Sequence, residues 1–207
     1  MRKHLVSLTG ALTLGVSGGA SAATVPVTNL GGDFRATNST VTLTTDGVHF
    51  GTYANGGALG GTLITHRFDG LRLDQITDLS YTFTYRVGSQ PAGYTAAPYL
   101  RIFLDTDNDL IVDEDVILDP GYCATEEVEQ AELLTFQMVG NSRLRYSDDG
   151  CDSLANVRTW AQIVADHGDE ETVGILVSQG NSVGTDVSAL MPRMTINGDT
   201  FEFGAPQ

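Results

Sequence analysis

The densest chemistry-bearing stretch of the chain is Asp105-Thr106-Asp107-Asn108-Asp109-Leu110-Ile111-Val112-Asp113-Glu114-Asp115. Counted from Asp105, carboxylates stand at positions 1, 3, 5 and 9, the spacing by which EF-hand and related loops gather hard oxygen donors around a hard cation. Asp105, Asp107, Asp109 and Asp113 are therefore the expected metal ligands, with calcium as a structural cofactor. Two positions depart from the pattern. Position six, where the sharp turn wants glycine, is Leu110, and position twelve, where a bidentate Glu would close the shell, is Val116. The competing expectation is a solvated acidic hairpin loop without an ion.

Sugar recognition calls for exposed aromatic rings that stack on C–H faces, with a few polar groups beside them. Tyr53, Tyr94, Tyr99 and Tyr122 fall in or beside expected loops, and Tyr94 and Tyr99 are the residues expected to hold a ligand. Tyr81, Tyr85 and Trp160 follow apolar stripes and belong in the core or on a packed sheet face.

Signals for catalysis are weaker. Gly180-Asn181-Ser182-Val183-Gly184 fits G-x-S-x-G, but a nucleophile elbow needs a helix next, then Asp and His downstream. No His follows His167. An E-x-D-x-E strand, as in concanavalin-type hydrolases, does not occur; Glu127 and Glu129 share a strand face at best, and Glu202 stands alone between Phe201 and Phe203. His49, His66 and His167 form no H-x-H or H-E-x-x-H ligand pair. No catalytic residue is assigned.

Compartment follows from the two ends of the composition argument. Met1-Arg2-Lys3-His4, an apolar Leu5–Gly15 run and Ala20-Ser21-Ala22 read as a signal peptide over residues 1–22, leaving one domain at 23–207. The apolar run is too short and too glycine-broken for a membrane anchor. Cys123 and Cys151, the two cysteines of the chain, then meet an oxidising environment and are expected to form a disulfide. Closing a loop of that size contributes roughly 3–4 kcal/mol.

Acid outnumbers base 26 to 11 across the full chain, and the signal removes Arg2 and Lys3, so arginine is the sole mature cation besides histidine. Such a surface repels phosphate backbones and anionic lipid. Nucleic acid is not an expected partner. Cations, and an extracellular glycan or other neutral ligand, are compatible with it.

The elements that must position these residues are mostly strands. Val41 and Leu43 alternate with Thr, Asp46-Gly47 interrupts, and Val48 and Phe50 resume, which predicts a hairpin with a type I′ turn. Leu79, Tyr81, Phe83, Tyr85 and Val87 make the cleanest alternating strand, and Leu100, Ile102 and Leu104 another. Val116-Ile117-Leu118 follows the acidic loop. Asn197-Gly198 between Met194–Ile196 and Thr200–Phe203 predicts a second I′ hairpin. Trp160, Ile163, Val164 and His167 recur at helical spacing, with Thr159 and Gln162 at capping-box spacing and Gly168 at the C-cap. About ten strands with frequent turns predict an all-β, two-sheet antiparallel β-sandwich, a jelly roll, with one short helix.

Four segments carry a resemblance: Ile76-Thr77-Asp78-Leu79-Ser80-Tyr81-Thr82, Ala96-Ala97-Pro98-Tyr99-Leu100-Arg101-Ile102 with the Asp-rich run after it, Thr159-Trp160-Ala161-Gln162-Ile163-Val164, and Thr195-Ile196-Asn197-Gly198-Asp199-Thr200-Phe201-Glu202-Phe203. Over residues 60–204 the chain resembles an uncharacterised family of exported bacterial jelly-roll β-sandwich proteins, similar to lectin and carbohydrate-binding modules. The resemblance implies a secreted lectin-like sandwich and supplies no catalytic residues. The first expectation is thus a secreted, non-enzymatic carbohydrate-binding module with structural calcium. A glycoside hydrolase or polysaccharide lyase on the same sandwich, and a cell-surface structural or interaction protein, are the alternatives.

Overall fold

A computed structural model describes residues 22–37, 40–51, 61–85, 98–120, 133–147, 156–179 and 188–204. The expected signal segment apart from Ala22, the Cys123–Cys151 disulfide, Tyr53, Tyr94, Tyr122, Glu127, Glu129 and the G-x-S-x-G turn lie outside the described residues.

The described chain is an all-β sandwich of two sheets with one α-helix. Thirteen strands are present: β1 (Thr24–Val27), β2 (Phe34–Ala36), β3 (Val41–Thr44), β4 (Gly47–Phe50), β5 (Thr62–Thr65), β6 (Leu79–Tyr85), β7 (Tyr99–Asp105), β8 (Glu114–Leu118), β9 (Leu134–Gln137), β10 (Arg145–Tyr146), β11 (Glu171–Ser178), β12 (Ala189–Ile196) and β13 (Asp199–Phe203). A 3-10 turn (Leu73–Gln75) precedes β6, and α1 (Trp160–His167) precedes β11. One sheet runs β1-β13-β12-β4-β3, with β6 pairing β12 and β9 pairing β6. The other runs β10-β8-β7-β11-β5-β2. All pairs are antiparallel except β1 with β13, which is parallel.

Period-two alternation decides which side chains meet between the sheets. Leu100, Ile102 and Leu104 of β7 are fully buried there, alongside Val116 and Leu118 of β8 and Ile175 and Val177 of β11. Each such side chain contributes about 1.5–3 kcal/mol by leaving water. Phe34 meets Phe201 and Phe203 edge-on, both at 5.0 Å. Tyr81 is wholly buried and donates its hydroxyl to the Pro98 carbonyl at 2.5 Å, which answers the polar cost of placing a phenol in the core. Pro192, which has no N–H to give, falls where β12 shifts register between Leu190 and Arg193.

The two expected type I′ turns differ. Asn197 and Gly198 both have positive φ, 49° and 85°, as that turn requires. In the first hairpin Thr44 pairs with Gly47, so the turn residues are Thr45 and Asp46, neither with positive φ. Gly47 is needed for a different reason: a Cβ there would lie 2.6 Å from the Met191 carbonyl oxygen of β12.

The helix forms as its sequence dictates. Thr159 Oγ1 accepts from Gln162 N–H while the Gln162 side chain accepts from Thr159 N–H, a reciprocal cap that satisfies two end groups. Trp160 and Ile163 face the core. Among the described residues no helix is long and apolar enough to cross a membrane.

Candidate functional site

Alternation also fixes the outward face of the six-stranded sheet. Tyr99, Arg101 and Phe103 leave β7 on the side opposite Leu100 and Ile102, and all three are half-buried. Arg101 lies over the Phe103 ring, 5.1 Å from its centroid. Its Nε and Nη2 both donate to Oδ2 of Asp115 on β8, the Nε bond measuring 2.6 Å. Asp115 is buried, and desolvation raises its pKa above the ordinary value by more than Arg101 and Arg145 lower it. Next to Tyr99, the Thr62 and Ser178 hydroxyls share a hydrogen bond of 2.6 Å, and Gly174 leaves the position opposite Phe103 without a side chain. The expected ligand residue Tyr99 opens β7 beside the preceding segment and stands on this sheet face, and Phe103, which sequence reasoning missed, shares that face.

Asp105 ends β7 and opens the acidic loop. Its Oδ1 accepts the N–H groups of Asp107, Asn108 and Asp109, and its Oδ2 that of Leu110. Asp109 Oδ1 accepts from Ile111 N–H at 2.8 Å. Carboxylate oxygens of Asp105, Asp107 and Asp109 lie within 4.8 Å of one another. The structure thus brings three of the four expected ligands together. Asp113 is engaged otherwise: its Oδ2 accepts the N–H and hydroxyl of Thr106, both at 2.8 Å, and these bonds hold its pKa below the ordinary carboxylate value. Asp107 is shifted the other way, chiefly by the neighbouring Asp109 charge.

Leu110 occupies the left-handed region at φ 66°, so the backbone makes the turn that glycine would make at position six, using a residue that is strained there. Val116 is fully buried between the sheets and cannot close a shell. The three carboxylates suit a hard cation with ligands completed by carbonyl oxygen or water.

A third cluster joins β10 to the end of α1. The Tyr146 and His167 rings stack at 4.0 Å. Tyr146 Oη lies 3.0 Å from His167 Nδ1, and His167 Nδ1 lies 2.7 Å from Glu170 Oε1. Burial, then the charges of Glu170 and Glu114, push the Tyr146 pKa well above the phenol range. The cluster fastens the helix to the sheet edge.

Two depressions open beside these elements. One, of about 340 Å³, lies among Gly32, Asp33, Arg35, His66 and Arg67. The other, of about 470 Å³, lies between β9 and the turn before β10, over Leu118, Leu134, Phe136 and Val139. Each is lined by a single carboxylate among the described residues, Asp33 and Asp119 respectively. Comparison of the chain with protein-family models, with characterised proteins and with solved structures returns no match, so the geometry alone carries the functional reading.

Proposed function

We propose that the chain is a secreted, non-enzymatic binding module whose outward six-stranded face takes an extracellular glycan, with calcium bracing the loop at Asp105, Asp107 and Asp109. The observation that carries this reading is the stripe Tyr99–Arg101–Phe103, two aromatic rings on one sheet face with a charged hydrogen-bonding pair between them. Aromatic rings accept the C–H faces of sugars, and the part-exposed guanidinium, held in place by the buried Asp115, donates to hydroxyls between them.

The test is a glycan array probed with the mature protein, followed by titration of a hit against Tyr99→Ala. The expected result is a saturable hit weakened about tenfold or more by the substitution, as loss of one stacking anchor implies. An empty array, or a hit indifferent to Tyr99, overturns the reading. For the metal, calorimetric titration of calcium and thermal melts with chelator test the loop; no heat and no shift leave it a solvated hairpin.

A second reading has its own observation. Leu110, Ile111 and Val112 at the loop tip are 80%, 62% and 45% exposed, a run of apolar surface of the kind that marks an interaction site. An interaction protein of the cell surface would use that tip, and Ile111→Ser would then abolish partner capture while leaving glycan binding intact.

A further inference from the structure

The hairpin that joins β7 to β8 ends in eight consecutive exposed residues, Thr106 to Asp113. Three of them are aliphatic and adjacent, Leu110, Ile111 and Val112. Among the described residues the one other large hydrophobic with such exposure is Leu133. Single apolar residues scattered over a surface are ordinary, whereas a contiguous run at a projecting tip marks a contact.

Hydrogen bonds hold this tip in one shape. The Asp105 carboxylate accepts the N–H groups of residues 107–110, Asp109 accepts that of Ile111, and Asp113 ties back to Thr106. Within that frame Asn108 and Leu110 take φ 64° and 66°. Asparagine tolerates the left-handed region; leucine is strained in it. A leucine strained there and 80% exposed returns little to the core, so its contribution lies outside the fold. The tip is a convex wedge of aliphatic carbon on a hydrogen-bonded base.

Area and charge decide what such a wedge fits. Three side chains fall far short of the roughly 800 Å² per partner that a stable protein interface buries. A bilayer asks for no matching pocket, because its headgroups and acyl chains part around an inserted side chain and repay the apolar area buried. Exposed Asp107, Asp109 and Asp113 stand around the wedge, and residues 105–115 contain no Lys, Arg or His. That ring opposes an anionic leaflet and complements the outward ammonium of a zwitterionic headgroup. We infer that the Leu110–Val112 tip inserts into the interface of a zwitterionic phospholipid bilayer, with Asp107, Asp109 and Asp113 at the level of the headgroup ammonium groups. The inference rests on the reading of this tip as an interaction site and names its partner as a lipid surface.

The experiment is co-flotation of the full mature chain, in chelator, with vesicles of phosphatidylcholine and with vesicles of phosphatidylglycerol. The expected result is retention on phosphatidylcholine that barely changes between about 50 and about 200 mM salt, and about tenfold weaker retention on phosphatidylglycerol at the lower salt. Leu110→Asn combined with Ile111→Ser keeps a residue that tolerates the turn, and is expected to lose about tenfold or more of the retention with no fall in melting temperature. Ile111→Trp should add an emission that shifts to the blue with phosphatidylcholine vesicles. Retention on neither vesicle overturns the inference, while the protein-interaction reading of the tip keeps its own test in partner capture. Retention that the double variant matches, or that favours phosphatidylglycerol, also overturns it. A dimer in sedimentation velocity that Ile111→Ser abolishes assigns the tip to a second copy of the chain instead.

Discussion

Arg101 and Asp115 face each other across the β7–β8 hairpin, diagonal rather than directly opposed, with Nε and Nη2 of one converging on a single oxygen of the other. Asp115 is the more deeply buried partner, at 8% side-chain exposure against 32% for Arg101. Removing the arginine strands a buried carboxylate, so Arg101→Leu is expected to cost about 1–3 kcal/mol, below the roughly 3–5 kcal/mol of a fully buried pair because the guanidinium is part-exposed. The double change with Asp115→Leu should recover most of that loss. Urea denaturation of the parent chain and the two variants measures it.

The same carboxyl sets a pH dependence. Its folded-state pKa is raised above 3.8, so its contribution to stability is full below that value and is lost as pH rises through the folded pKa. Asp115→Asn should therefore flatten the stability profile across the mildly acidic range, read as denaturation midpoints at successive pH values.

Tyr146 gives the alkaline counterpart. Its pKa lies above the ordinary 10.0, so the protonated phenol stabilises the fold below pH 10 and that contribution is lost as pH rises through the folded value. Tyr146→Phe should lower stability at neutral pH by about 1 kcal/mol through lost hydrogen bonds and abolish the extra loss at high pH. Melts on either side of the transition check both signs.

Leu110 holds a left-handed backbone conformation at φ 66°. Leu110→Gly is expected to stabilise the loop by about 1 kcal/mol and, on the calcium reading proposed above, to leave calcium affinity unchanged, since no side-chain ligand is removed. Chemical denaturation with and without added calcium reads both: a gain that is the same in either condition is relief of backbone strain.

Gly47→Ala should be severe. The added methyl would lie 2.6 Å from the Met191 carbonyl oxygen, so the β4–β12 pairing must shift, at a cost of at least about 2 kcal/mol. A lower denaturation midpoint with intact β-sheet circular dichroism is the expected outcome.

Where neighbours in sequence decide the structure, the chain could be read directly. Alternation at Leu79–Phe83 and Leu100–Leu104, the Thr159–Gln162 cap and the Asn197–Gly198 turn are all local. What escaped reading depends on pairing between distant strands. Arg35, Ile64, Leu176, Arg101, Ile117 and Arg145 form a rung only once five registers are fixed. Tyr146 meets His167 across 21 residues and Glu170 across 24, with no spacing rule to announce it. In the acidic loop the spacing made four aspartates equivalent, and backbone N–H groups make them unequal: Asp105 organises the turn, while Asp113 is taken by Thr106.

The parallel pairing of β1 with β13 bears on how the molecule comes into being. Ala23 N–H reaches the Asp199 side chain over a separation of 176 residues, and Thr24 sits beside Thr200. Of the described strands, the first to emerge during synthesis must wait for the last. Until β13 arrives, β1 has no partner and β12 exposes an open edge, a slow, non-local closure of the kind that leaves nascent chains prone to aggregation. That sheet therefore closes in one late step, after nearly the whole described chain has been made.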